Sequence, residues 1–179
     1  MARPFGGVVL EKLSVKDDES ISFESIRNKR YYPASLDKDL QKADLLILPF
    51  ENFRDNRDLF AESTRDFYAY AKKDKRCNVD IAATDKTFNI IELHDSEISL
   101  PMLLLMEVVL PIAVNLISNF ISERIEKYHC DKNKTPVAIH AAVEETKTKK
   151  VKRLDIECDA SELPEVLKEV NKIFKKHDK

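Results

Sequence analysis

Carboxylates rather than nucleophiles are the residues whose spacing offers chemistry in this chain. Glu51, Asp55 and Asp58 follow directly on the apolar run Leu45-Leu46-Ile47-Leu48-Pro49-Phe50. In open α/β sheets, ligand sites gather beyond the carboxyl ends of strands. Carboxylates there can hold a hard divalent cation such as magnesium through oxygen ligands. Arg54 and Arg57 are interleaved with the three acids, and that alternation equally describes a solvated loop of local ion pairs.

Asp80, Glu92 and His94 form a second set. An acid on one strand with Glu-Leu-His on the next resembles the acid…Glu-x-Lys arrangement of restriction-like nucleases, here between Asp80 and His94. The resemblance implies a metal-dependent hydrolase. Its carboxylates would bind a divalent metal, and its basic residue would help activate water or stabilise charge. His94 stands where that family has lysine. Outward-facing polar positions on a hairpin account for the same residues.

Other chemistry is largely excluded. Phosphate-cradling loops, dinucleotide fingerprints and nucleophile elbows need glycine for positive φ or for close backbone approach. The two glycines of this chain are Gly6 and Gly7, so none of those devices is expected in its usual form, and no cofactor is expected. No local signature sets a serine or cysteine beside a base. His129-Cys130 lacks partners at metal-ligand spacing. His140 is expected to pair across strands near Arg153 or Asp155, and His177 lies in a lysine-rich tail. Cys77, Cys130 and Cys158 contain no CxxC pair and read as free thiols in a reducing cytosol.

The basic run Lys147, Lys149, Lys150, Lys152 and Arg153 could contact phosphates from a hairpin tip. No aromatics are interleaved for base stacking, and lysines also guard exposed strand edges. Tyr31-Tyr32-Pro33 after Arg27, Lys29 and Arg30 is a second patch without a motif. Overall, 30 basic residues nearly cancel 32 acidic ones, with a net charge of −2 and a pI near 6.1. The electrostatic footprint of a general nucleic-acid binder is missing. Nucleic acid is therefore not the favoured partner.

Several elements must position these residues. Val8 to Leu13 reads as a strand, paired with Ile21 to Ile26 across the polar turn Lys16 to Ser20. A short helix is expected over Ser35 to Lys42, capped by Ser35 or Asp37. Leu45 to Leu48 reads as a strand buried on both faces and ended by Pro49. Leu59 to Lys73 has helical spacing, with Phe60, Thr64, Phe67, Tyr68 and Ala71 on its inner stripe. Val79 to Ala82 and Phe88 to Leu93 read as a strand pair. At the C-terminus Val137 to Val143 and Leu154 to Cys158 alternate as two strands, joined by a hairpin around Lys147 to Lys150. Asp159-Ala-Ser-Glu162 then opens a helix with Leu163, Val166, Leu167, Val170, Ile173 and Phe174 on its buried stripe.

Ile98 to Ile121 is nearly continuous apolar sequence. At ~1.5 Å rise per residue it is long enough, as one helix, to cross a bilayer. Ser99 would cap it, Pro101 would suit its first turn and Pro111 would kink it. Glu107, Pro111, Asn115, Ser118 with Asn119, Ser122 and Glu126 fall along one stripe. Glu107 would sit near mid-membrane at a cost of about 2.5–3.5 kcal/mol. A central helix of a soluble, cytoplasmic protein is favoured over a membrane anchor, and no secretory signal is expected at the N-terminus. So apolar a helix on a small protein calls for further cover from a partner chain, with the polar stripe at the interface.

The fold expected is α+β over residues 1–179 as a single domain. It has a mixed or antiparallel sheet (1–97), a long apolar central helix (98–128) and a C-terminal β-β-α unit (135–176). The function expected is that of a small non-catalytic interaction or regulatory subunit acting by protein association, with itself or another chain as partner. A metal-dependent hydrolase built on Asp80 and Glu92 and a membrane-associated protein anchored by 98–121 are the alternatives.

Overall fold

A computed structural model describes residues 8–10, 12–53, 55–91 and 97–175. In chain order the elements are β1 (Val8–Leu10), β2 (Leu13–Asp17), α1 (Asp37–Leu40), β3 (Leu45–Leu48), β4 (Phe50–Phe53), β5 (Arg57–Leu59) and α2 (Thr64–Lys72). They continue with β6 (Val79–Ile81), β7 (Ile98–Ser99), β8 (Met102–Met106), α3 (Leu110–Lys127), β9 (Pro136–Glu144), β10 (Val151–Asp159) and α4 (Leu163–Lys175). The fold is α+β with a mixed sheet, a long helix and a C-terminal β-β-α unit.

The main sheet runs β1-β2-β10-β9-β8-β3-β6, with β7 also on β9. Its strands β8 and β9 are parallel, as are β3 and β6, while β3 and β8 are antiparallel. Alternation along each strand divides two apolar layers. Leu45, Ile47, Leu103, Leu105, Ile139 and Ile156 face α2, α3 and α4. Leu46, Leu48, Met102, Leu104 and Ala142 face Ile21, Ile26, Tyr31 and Leu40 from the largely irregular stretch 18–44. Leu45 to Leu48 are therefore buried on both sides, as their unbroken apolar character indicates.

The apolar segment that reads as one helix from Ile98 is instead two strands followed by a helix. Periodicity cannot separate a fully buried strand from a buried helix, and Met102 to Leu105 are buried on both faces of the sheet. The register against β9 gains one residue between Ser99↔Ala138 and Leu103↔Ala141. That bulge holds Pro101, which has no N–H to give a ladder. Pro111 lies in the first turn of α3 and starts the helix rather than kinking it. The long helix is thus 110–127, entered through a 3₁₀ turn at Glu107–Val109.

Three smaller expectations also change. β1 and β2 form their own hairpin, and 21–26 is not a strand. Ser22 N–H donates to Ser25 Oγ at 2.7 Å and Ser25 N–H to Ser22 Oγ at 2.9 Å. These local bonds take backbone donors that a ladder needs. β6 pairs with β3, not with 88–91, where Phe60 N–H to Asn89 O and Ile91 N–H to Phe60 O make a single bridge. Leu59 and Phe60 belong to β5 and that bridge, so α2 begins at Thr64. The C-terminal unit follows the alternation read from its sequence, with Leu154↔Ala141 and Ile156↔Ile139 facing the helices.

Candidate functional site

Helix α3 is amphipathic by position. Leu110, Ala113, Leu116, Ile117, Phe120, Ile121 and Ile125 are buried. The Phe120 ring meets Phe67 edge-on at 5.3 Å and Tyr70 at 5.7 Å. Arg124 Nη1 donates to Asp66 Oδ2 at 3.0 Å and ties the end of α3 to α2. Glu107–Lys127 is long and apolar enough to cross a membrane by length and composition. Its apolar side is nonetheless covered within the chain by the sheet, α2 and α4.

What α3 turns outward is different. Asn115, Asn119 and Ser122 are exposed, as is Pro111, while Ser118 and Glu107 are half-buried. Among the described residues, the large hydrophobics left exposed are Val108 (71%) and Tyr128 (55%), at the two ends of this helix. No charged residue occurs from Val108 through Ser122, in a chain that is 35% charged. The outward positions of α4, by contrast, carry Glu165, Lys168, Lys172 and Lys175. Asn115 Oδ1 accepts from Arg76 Nη2 and from Asn119 Nδ2 only at 3.5 Å, at the outer limit of a hydrogen bond.

Glu51 and Asp58 both lie near Arg30, but the three acids after β3 are not placed to share a metal ion. Glu51 lies 3.2 Å from Lys29 Nζ. Asp58 accepts from Arg30 Nε at 2.6 Å, from Arg30 Nη2 at 3.1 Å and from Asn52 N–H at 3.1 Å. These bonds, Arg30 foremost, hold the Asp58 carboxyl below its usual range. Asp55 is exposed with φ 56°, beside Asn56 at 57°, left-handed positions that Asn and Asp tolerate. Burial pushes the Tyr31 hydroxyl up, and the Glu51 charge beside it adds to the effect.

Asp80 is half-buried on β6 and accepts the N–H of Ile81 at 2.8 Å. Glu92 and His94 lie outside the described residues. Among the described residues, no group of three or more His, Cys, Asp and Glu side chains is placed to share a metal ion. The basic run is divided by strand alternation. Lys147, Lys149 and Lys150 are exposed at the hairpin tip, while Lys152 and Arg153 point to opposite faces of β10. Lys152 lies 3.9 Å from Glu145, and Arg153 Nε donates to Asp155 at 3.2 Å.

Set beside models of protein families, curated proteins and solved structures, the chain matches none of them.

His140 pairs across strands as its register position requires: Nδ1 donates to Asp155 Oδ1 at 2.6 Å. Burial works to raise the Asp155 carboxyl, but the His140 bond and the Arg153 charge outweigh it and hold it low. Phe50 covers the imidazole edge-on at 5.8 Å. A carboxylate-oriented imidazole is half of a nucleophilic device, and no serine or cysteine contact completes it among the described residues. The outward face of α3 is the feature that sequence reasoning half found. The polar stripe was legible from its spacing. Val108 was not, because it reads as part of the apolar run, and Tyr128 was not, because it lies beyond that run.

Proposed function

We propose that this chain is a small non-catalytic interaction or regulatory subunit that works by protein association, and that the occupant of its α3 face is a second copy of the chain. The observation that supports this is the uncharged outward surface of α3, from Val108 through Ser122. Covering charged side chains costs desolvation free energy that covering small uncharged ones largely avoids. The fully buried cores of interfaces are accordingly depleted of charge.

A second copy suits this surface because a two-fold pairing sets identical patches against each other. On a charged helix that would oppose like charges; here it opposes Asn115, Ser118, Asn119 and Ser122 to themselves. The two carboxamides can exchange donors and acceptors across the axis. Val108 and Tyr128 would supply apolar contact at the ends.

The test is a crosslink. An Asn115→Cys chain treated with a short bismaleimide should form a covalent dimer in high yield, above the level given by the parent chain with its native cysteines. Equal yields from the two chains would contradict the reading.

A further inference from the structure

We infer that the hollow beyond the carboxyl ends of β3 and β6 is a binding site for a nucleoside monophosphate. The parallel pairing Leu45↔Val79 and Ile47↔Ile81 brings both strands to an end at the same edge of the sheet. The chain leaves them through Pro49 and Ala82, and the segments that follow wall a cavity of about 370 Å³. Ligands of open sheets bind at such carboxyl ends, and the volume falls within the range of small-molecule pockets.

The lining combines an apolar base with a cationic rim. Pro49, Phe60 and Ala82, all buried, close its base with apolar atoms. Arg30, Arg57 and Lys86 also line it, against Asp58 as the one carboxylate. Asp58 is already bonded twice by Arg30 and once by the Asn52 amide. Glu51 behind it is balanced by Lys29. Arg57 and Lys86 are exposed and make no ion pair with the described residues. Two free cations beside neutralised acids select an anion, and a phosphomonoester carries close to two charges near neutral pH. Guanidinium and ammonium groups bind phosphate by charge-assisted hydrogen bonds. This way of holding phosphate needs no glycine loop, in keeping with a chain that has none in this region. The Asn56 and Asn89 carboxamides at the rim can donate to and accept from a base or ribose.

The larger cavity, of about 570 Å³, is a poorer candidate. Its lining mixes Glu24, Asp44 and Glu144 with Arg27, Lys42 and Lys149, and Glu144 Oε1 is taken by the Phe23 N–H at 3.1 Å.

Calorimetric titration of the full chain with AMP, GMP, CMP and UMP tests the inference. Inorganic phosphate and the parent nucleosides serve as the partial ligands. At least one nucleotide should bind saturably, with both its nucleoside and inorganic phosphate about tenfold or more weaker. The Arg57→Ala, Lys86→Ala double variant should lose about tenfold or more in affinity, as expected for hydrogen bonds to a charged group. Heat from none of the four nucleotides, or equal binding by the nucleoside, would overturn the site. If the double variant folds with the parent's melting temperature, unchanged affinity would also overturn it. If it unfolds, amide shift mapping on the parent chain decides. Nucleotide-induced shifts confined to 30–31, 50, 56–60 and 82–89, the lining segments, support the site, and shifts elsewhere contradict it.

Discussion

Arg30 holds Asp58 with two side-chain hydrogen bonds, Nε to Oδ2 at 2.6 Å and Nη2 to Oδ1 at 3.1 Å. The contact joins two parts of the chain that local sequence does not link. Arg30 lies in the irregular stretch that covers the second face of the sheet, and Asp58 lies on β5 of the small hairpin after β3. Lys29 repeats the link to Glu51 at 3.2 Å. Two of the three carboxylates that look like a cation site in the sequence, Glu51 and Asp58, are thereby used as fasteners.

Acid should undo this fastening in a defined direction. The Asp58 carboxyl is held below its ordinary 3.8, chiefly by Arg30. A depressed folded-state value means that its contribution is full above the ordinary value and is lost as pH falls through the lowered one. Asp58→Asn should therefore lower the urea midpoint near neutral pH, and the difference from the parent should shrink in strong acid. A difference that stays constant across that range would show that Asp58 does not stabilise the fold through its charge.

Phe67 couples α2 to α3. It is fully buried and packs edge-on against Phe120 at 5.3 Å. Phe67→Ala should destabilise the chain by about 3–5 kcal/mol, the sum of lost transfer free energy and the cavity left behind. Denaturant unfolding measures this, and a cost below about 1 kcal/mol would mean that the helical layer is more loosely packed than described.

The C-terminal β-β-α unit was legible because its strands keep one clean alternation. Val137, Ile139, Ala141 and Val143 face the helices and His140 the other way, so even the His140–Asp155 pairing followed from register. The segment from Ile98 was not legible for the opposite reason. A strand buried on both faces shows no period, and Leu103-Leu104-Leu105 reads the same in a helix. The stretch at 21–26 was misread because Ser22 and Ser25 bond to each other's backbone and withdraw it from the sheet. Neither could Arg30 or Lys29 be assigned to Asp58 or Glu51 from sequence, since those pairings depend on how 18–44 crosses the sheet.

The three thiols should separate by reactivity. Cys77 is buried in the helix-side core, and burial pushes its thiol up to about 11. Cys130 and Cys158 are half-buried. The thiolate is the reactive form, so native alkylation followed by peptide mass mapping should leave Cys77 unmodified while Cys130 is labelled. Full labelling of Cys77 should appear only with denaturant. Equal rates for Cys77 and Cys130 in the native chain would contradict the packing around β6.

Light-scattering mass across a sizing column tests association through α3 most directly, on the parent chain and on the Asn115→Lys, Ser122→Lys variant. Both positions are exposed, so the variant should keep the parent's melting temperature. The account predicts a parent mass of twice the 20.7 kDa chain and a variant mass of one chain, because lysines would face lysines across the two-fold axis. A parent that remains a single chain at high micromolar concentration, or a variant that pairs as well as the parent, would contradict it.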